Sequence, residues 1–235
     1  MAKIPLLLVP GLLCTDDLWR DQVANLGDIA EIRITRAQRQ FDNLSDMARS
    51  ILAEAPDRFA LAGLSMGGYV AFEIMRQAAV RVRALALLDT SARPDTIEQT
   101  TRRKDLMSLA EKGKFKGVTP RLLPLFLHPD RLGEVGLTSR VSAMAEEVGR
   151  DGFLRQQAAI IARPDSRPML QRIACPTLVL CGDQDLVTPP ELSREIAAGI
   201  AGAELVLLPR CGHLSTMEMP AEVNAAMRRW LLCSG

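Results

Sequence analysis

The sequence predicts an α/β protein with a mainly parallel six-stranded sheet and helices on both of its faces. Two observations support this prediction: short apolar runs alternate with helical patterns along the chain, and most of the runs are continuously apolar. Strands buried on both faces of a parallel sheet have this continuous character, because neither face meets water. The predicted strands are residues 4–9, 30–35, 58–64, 83–89, 177–181 and 204–208.

The helical patterns between these runs differ in how much of their surface is apolar. Residues 43–55 carry apolar side chains along one stripe, which is typical of a helix that is half buried. Residues 66–79 are apolar nearly all round, as expected of a helix packed deep against a sheet. Residues 191–200 and 220–232 complete the set, and Pro220 suits the first position of a helix.

One long segment interrupts the alternation of strands and helices. Residues 93–168 contain helical pieces broken by prolines and glycines, but no convincing strand. A segment of this length is too long for a plain loop. The sequence therefore predicts a helical cap over residues 93–168, inserted into a core that consists of residues 1–92 and 169–235.

Composition narrows the possible classes of protein. The chain has 235 residues, 48% of them hydrophobic and 24% charged, which fits one globular domain. The formal net charge is +1 and no basic run interleaves with aromatic residues, so we expect no nucleic-acid partner. No stretch is long and apolar enough to span a membrane. Five cysteines at spacings that match neither a disulfide framework nor a zinc site indicate a reduced, cytoplasmic setting without a metal.

A candidate nucleophile lies where a buried run meets a helical one. The motif Gly63-Leu64-Ser65-Met66-Gly67 follows the third predicted strand and opens a helix. A sharp strand-to-helix turn would strain the backbone at Ser65 and present its hydroxyl above the sheet. Side chains at positions 63 and 67 would collide in so tight a turn. The alternative is a glycine-rich turn with a capping serine, and the apolar segments on both sides argue against it.

A base and an acid for Ser65 are expected after the last two strands. His213 follows the sixth strand, whereas the other histidine, His128, lies in the predicted cap. A histidine with a pKa near neutrality is the natural base for a serine hydroxyl. After the fifth strand, Asp185 is favoured over Asp183, which could simply brace the turn, because Asp185 lies farther along the loop.

A third carboxylate, Asp89, ends the fourth predicted strand and ranks below Asp185. The resulting chain order of Ser65, Asp185 and His213 is the one found in enzymes with this serine turn.

Two backbone N–H groups should then stabilise negative charge on a carbonyl oxygen. We expect them from Met66, directly after the serine, and from Leu12, in the loop after the first strand where Gly11 allows close approach.

Together these motifs resemble the α/β-hydrolase superfamily over essentially the whole chain, and within it the small esterases and lactonases with a helical cap. Two features depart from the pattern: Pro10-Gly11 stands where many relatives have His-Gly, and we expect the first strand to be a central one, without the usual leading hairpin before it. The resemblance implies that Ser65 attacks a carbonyl, that His213 takes its proton and that Asp185 orients the imidazole. No metal or organic cofactor is expected.

The function expected is hydrolysis of a small carboxylic ester or thioester, an acyl substrate, through an acyl-enzyme. Two alternatives stay open: cleavage of a carbon–carbon bond by the same residues, and a ligand receptor without turnover. The segment 93–168 holds 14 Lys and Arg against 10 Asp and Glu, a difference of +4. This excess could attract an anionic substrate through residues such as Arg102, Arg103 and Lys104, or could simply reflect solvated helix faces.

Overall fold

The computed structural model describes residues 3–233 and contains one six-stranded sheet in which all strand pairs are parallel. The order across the sheet is β2-β1-β3-β4-β5-β6. Every predicted strand is present with ends within one residue of the prediction, so the predicted fold class is confirmed. The strands are β1 (Ile4–Val9), β2 (Ala30–Ile34), β3 (Phe59–Leu64), β4 (Val82–Leu88), β5 (Thr177–Gly182) and β6 (Glu204–Leu208).

Helices cover both faces of the sheet. They are α1 (Arg20–Leu26), α2 (Leu44–Glu54), α3 (Met66–Ala78), α4 (Ile97–Leu109), α5 (Leu123–Phe126), α6 (Val135–Ile161), α7 (Pro190–Gly199), α8 (Ser215–Glu218) and α9 (Pro220–Cys233). Successive side chains of a strand point to opposite faces. Leu6 and Leu8 of β1 accordingly belong to the same apolar cluster as residues of α1 and α9, whereas Leu7 and Val9 belong to the cluster on the other face, which includes residues of α2, α3 and α7.

The helix boundaries follow from local chemistry. Asn43 precedes α2 in an extended conformation, and its side chain accepts a hydrogen bond from the N–H of Asp46 at 2.8 Å. Thr96 and Gln99 form a reciprocal capping box at the start of α4. Such caps satisfy N–H groups that the first turn of a helix leaves unpaired.

The segment between β4 and β5 is helical, as predicted. It contains α4, α5 and α6, and residues 93–168, all of which the structure describes, contain no strand. Gly149 breaks the regular geometry of α6 with a φ of 68°. Val118, Val141 and Met144 of the segment pack in the same apolar cluster as one face of the sheet. The division into a core and a separate cap domain stays a prediction.

Over residues 3–233, none of the helices combines the length and the apolar character needed to cross a membrane. All five cysteines are unpaired; Cys14, Cys181 and Cys211 are buried, and Cys175 is half-buried.

Candidate active site

The turn between β3 and α3 has the strained geometry that the glycine pattern predicts. Ser65 has φ 56° and ψ −116°, in a region that residues other than glycine rarely adopt. A Cβ built at Gly63 would overlap the backbone of Gly67, and a Cβ at Gly67 would overlap the carbonyl of Val9 in β1. Both glycines are therefore required by the close approach of backbone segments, as expected from the sequence.

The strained turn is held by hydrogen bonds to the neighbouring strand. The N–H of Ser65 donates to the carbonyl of Leu88 at 3.0 Å, and the hydroxyl of Thr90 donates to the carbonyl of Ser65 at 2.7 Å. Persistent backbone strain of this kind needs surrounding structure to maintain it. The sequence patterns did not identify Thr90 as part of this support.

Three of the residues singled out in the sequence form one hydrogen-bonded chain at the carboxyl edge of the sheet. His213 Nε2 lies 2.9 Å from the Ser65 hydroxyl oxygen, and His213 Nδ1 lies 2.8 Å from Asp185 Oδ2. His213 is 3% exposed and Asp185 is 2% exposed. This geometry lets the imidazole exchange a proton with the serine while the carboxylate fixes the other ring nitrogen.

Asp185 is anchored by a residue that the sequence analysis missed. The hydroxyl of Thr188 donates to Asp185 Oδ2 at 2.7 Å, and the N–H groups of Val187 and Thr188 donate to Oδ1 at 2.8 and 2.9 Å. The carboxylate therefore has a fixed orientation toward His213. The signal was present locally, because an aspartate that accepts from N–H groups two and three residues later is a common turn motif.

The other two candidate acids have different partners. Asp183 is exposed, and its carboxylate accepts from the N–H of Arg210 at 2.8 Å, which is the bracing role considered for it. Asp89 is buried, accepts from the N–H of Gly182 at 2.9 Å and contacts the hydroxyl of Ser215. Within residues 3–233, no hydrogen bond joins either of them to His213.

The electrostatics of the chain separate Asp185 from Asp89. Burial opposes the charge on Asp185, but the His213 imidazole and the Thr188 donors outweigh it and lower the pKa of Asp185. Burial, together with the nearby charge of Asp185, raises the pKa of Asp89 well above its usual value. The two pKa shifts therefore have opposite directions: the surroundings favour the ionised form of Asp185 and the neutral form of Asp89.

The pKa of His213 reflects the same balance. Burial disfavours the imidazolium, but the charge and the hydrogen bond of Asp185 outweigh burial and raise the pKa of His213 above its ordinary 6.5.

Cys14, which also lines the site, is a poor competing nucleophile. Burial raises the pKa of its thiol to about 12, so the reactive thiolate is scarce near neutrality.

The two N–H groups expected to stabilise negative charge belong to Met66, which directly follows Ser65, and to Leu12, which lines the same cavity as Ser65. In the part of the chain that the structure describes, neither the Leu12 N–H nor the Met66 N–H donates a hydrogen bond to a protein acceptor. Met66 opens α3, where the first N–H groups of a helix lack partners. Gly11 lies against Ser65, since a Cβ there would come within 3.3 Å of the serine Cβ.

Ser65 and His213 line a mostly apolar cavity of about 80 Å³. Its walls come from the β1 loop, which includes Leu12, and from residues of the inserted segment such as Phe126 and Met144. Cavities that hold drug-sized ligands are usually several times larger. The cavity therefore favours a small reacting group.

A buried glutamate that the sequence analysis missed connects the inserted segment with the His213 loop. Glu218 is 1% exposed, and its carboxylate accepts from the N–H groups of His128 at 2.7 Å and Leu214 at 3.2 Å. The N–H of His213 donates to the carbonyl of Phe126 at 2.9 Å. His128 is consequently a buried contact between the segment and the core.

The buried side chains of Asp89, Cys181 and Asp185 have possible metal-ligating atoms within 4.8 Å of one another. Both oxygens of each carboxyl group already accept hydrogen bonds. Burial raises the pKa of the Cys181 thiol far above its ordinary value, which disfavours the thiolate that would bind a metal. Asp89 and Cys181 instead form hydrogen bonds around the loop that carries Asp185, with Gly182 and Thr188 respectively.

A parallel sheet with a strained serine turn and a Ser–His–Asp hydrogen-bonded chain at its carboxyl edge defines an enzyme of the α/β-hydrolase class. The model of the alpha/beta hydrolase family matches residues 6–226. The chain belongs to this family and is a hydrolase.

Individual relatives agree with this assignment. A pimeloyl-[acyl-carrier protein] methyl ester esterase of Nitrosomonas europaea is 26% identical over 189 residues, which cover 77% of this chain and 74% of the relative. A thermophilic esterase from Thermogutta terrifontis superposes with a TM-score of 0.88 at 28% identity, over 99% of this chain and 91% of the other. The enol-lactonase from Burkholderia xenovorans LB400 has the same fold, with a TM-score of 0.88 at 24% identity over 99% and 92% of the two chains.

Proposed function

We propose that this hydrolase cleaves small carboxylic esters or thioesters through an acyl-enzyme formed on Ser65. The observation that carries the proposal is the hydrogen-bonded chain, with His213 2.9 Å from Ser65 and 2.8 Å from Asp185. Its partner is a small acyl substrate, and the five unpaired thiols support a reduced, cytoplasmic setting. The esterase activity named for two of the relatives points in the same direction.

The proposed reaction uses each group in a single role. His213 Nε2 takes the hydroxyl proton while Ser65 attacks the carbonyl carbon, and Asp185 stabilises the imidazolium that forms. The N–H groups of Leu12 and Met66 donate to the oxyanion of the tetrahedral intermediate. His213 returns the proton to the departing alkoxide or thiolate. Water, deprotonated by His213, then attacks the acyl-enzyme and releases the carboxylic acid and free Ser65.

The proposal is tested by measuring hydrolysis of chromogenic esters and thioesters of increasing acyl length. Because the cavity measures about 80 Å³, we expect short acyl chains to have the highest kcat/KM. Stoichiometric labelling of Ser65 by a serine-directed fluorophosphonate, located by mass spectrometry, should accompany turnover. Failure to cleave any member, combined with cleavage of a β-diketone, would instead support the carbon–carbon hydrolase alternative. Binding of ligands without any turnover would support a receptor.

The rate should depend on pH through His213. A general base must be neutral, and Asp185 raises the pKa of His213 above 6.5 despite its burial. We therefore expect kcat/KM for a neutral ester to fall as the pH is lowered through a midpoint above 6.5 and to reach a plateau on the alkaline side. The measurement is a pH profile of kcat/KM with a substrate that does not titrate. A midpoint below 6.5 would mean that burial outweighs Asp185.

A further inference from the structure

One side chain in the wall of the Ser65 cavity carries a permanent charge. Among the described residues that line the cavity, Arg103 is the only Lys, Arg, Asp or Glu. It belongs to α4 in the inserted segment, and its side chain is 20% exposed. Its neighbours Arg102 and Lys104 are exposed on the surface. Of the three basic residues considered in the sequence, only Arg103 therefore reaches the cavity.

The Arg103 guanidinium is held firmly and retains donor capacity. Its Nε donates to Asp95 Oδ2 at 2.7 Å, and its Nη1 donates to Gln157 Oε1 at 2.9 Å. Over residues 3–233, Nη2 has no hydrogen-bond partner. Two neighbouring side chains thus fix the plane of the guanidinium and leave one of its nitrogens for a ligand.

Arg103 shares its carboxylate partner with a second guanidinium group. Asp95 also forms an ion pair with Arg163, with 2.7 Å between Oδ1 and Nη1, so one carboxylate serves two guanidinium groups. The Asp95 and Arg163 side chains are 1% and 6% exposed. Arg163 lies over the ring of Tyr69, another cavity residue, at 4.3 Å. Burial raises the pKa of the Tyr69 hydroxyl, which favours its neutral form.

Asp95 already pairs with the charge of Arg103, but one guanidinium nitrogen stays available for a ligand beside the apolar wall of the cavity. The planar guanidinium fork matches a carboxylate in geometry and forms charge-assisted hydrogen bonds with it. We propose that the substrates of this enzyme carry a carboxylate, which Arg103 binds while the scissile carbonyl lies at Ser65. The inference rests on the proposed ester hydrolysis, and the small cavity restricts the class to half-esters of short dicarboxylic acids.

The test compares two matched series of methyl esters with four to seven carbons in the acyl chain. One series ends in a free carboxylate, and the other ends in a carboxamide of the same shape without the charge. We expect the wild type to prefer the carboxylate series. Arg103→Gln should lower kcat/KM for that series by about 10- to 100-fold, mainly through KM, because a charge-assisted hydrogen bond is lost. The carboxamide series should change by less than about threefold.

Matched variants isolate the role of the charge. Arg102→Gln and Lys104→Gln remove the neighbouring exposed charges and should change neither series. Arg103→Lys keeps the charge but loses the planar fork, so it should recover part of the loss. Thermal unfolding of Arg103→Gln should be measured in parallel to check that the variant is stably folded, because Arg103 also forms an ion pair with Asp95.

Each outcome separates this inference from the proposed function. Equal losses in both series would make Arg103 a structural partner of Asp95 and overturn the inference. A wild type that cleaves both series equally well would overturn it while ester hydrolysis stands. If no ester is cleaved, binding of the half-ester to the Ser65→Ala variant is measured by calorimetry. Binding that disappears when Arg103→Gln is added to this variant supports the carboxylate site. Absence of binding to Ser65→Ala overturns the inference.

Discussion

Ser65→Ala is expected to lower kcat for the best chromogenic ester by about 10⁶, the size of loss that removal of a triad nucleophile causes. The reason is geometric: His213 Nε2 lies 2.9 Å from the Ser65 hydroxyl, where it can take the hydroxyl proton. The N–H donors of the site cannot replace Ser65, because they cannot form a covalent bond to the acyl carbon. His213→Ala should cost about as much. The kcat of the double variant should be no lower than that of either single variant, because the nucleophile and the base do not act without each other. The measurement is kcat by steady-state kinetics.

The control for this prediction is a serine near the same sheet edge. Ser91 lies three residues past the end of β4, and its hydroxyl accepts a hydrogen bond from the N–H of Arg93 at 3.0 Å. Ser91→Ala should retain kcat within about twofold, since the residue has no place in the proposed chemistry. Turnover that survives in Ser65→Ala and resists the fluorophosphonate would show that Ser65 is not the nucleophile.

Asp185→Asn is expected to lower kcat by about 10⁴. The amide keeps the size of the side chain but presents the wrong donors to His213 Nδ1 and removes the charge that stabilises the imidazolium. The loss should be smaller than for Ser65→Ala because the proposed nucleophile, the proposed base and the proposed donors of Leu12 and Met66 all remain. Kinetics on the same ester measure this effect, and circular dichroism checks that the variant is folded.

Two other aspartates provide matched controls for Asp185. Asp183→Asn alters an exposed carboxylate whose partner is the N–H of Arg210, so kcat should stay within about twofold. Asp89→Asn replaces a carboxyl group whose ionised form burial disfavours and which has no hydrogen bond to His213 among the described residues, so its effect on kcat should be at least ten times smaller than that of Asp185→Asn. An Asp89 variant as impaired as the Asp185 variant would mean that the two carboxyl groups share the role.

Much of the fold could be predicted from the sequence because it depends on local patterns. Continuously apolar runs such as Phe59–Leu64 and Thr177–Gly182 mark strands buried on two faces, and their ends coincide with the structure to within a residue. The serine turn was equally predictable, because Gly63 and Gly67 stand where any side chain would overlap backbone. Chain order then placed Ser65, Asp185 and His213 at one edge of the sheet.

Contacts between distant segments could not be predicted in this way. Glu218 joins the His213 loop to His128 in the inserted segment, 90 residues away in the chain, and no local pattern encodes that distance. The raised pKa of Asp89 could not be predicted either, because it depends on burial and on the charge of Asp185, which the fold brings near. The basic residues of α4 illustrate the limit most clearly. The composition of residues 93–168 shows an excess of positive charge, but the sequence alone does not indicate which of Arg102, Arg103 and Lys104 faces the cavity. Only the packing of the helix against Asp95 and Gln157 turns Arg103 toward the cavity and its neighbours toward water, because side-chain direction depends on how a helix is rotated against its partners.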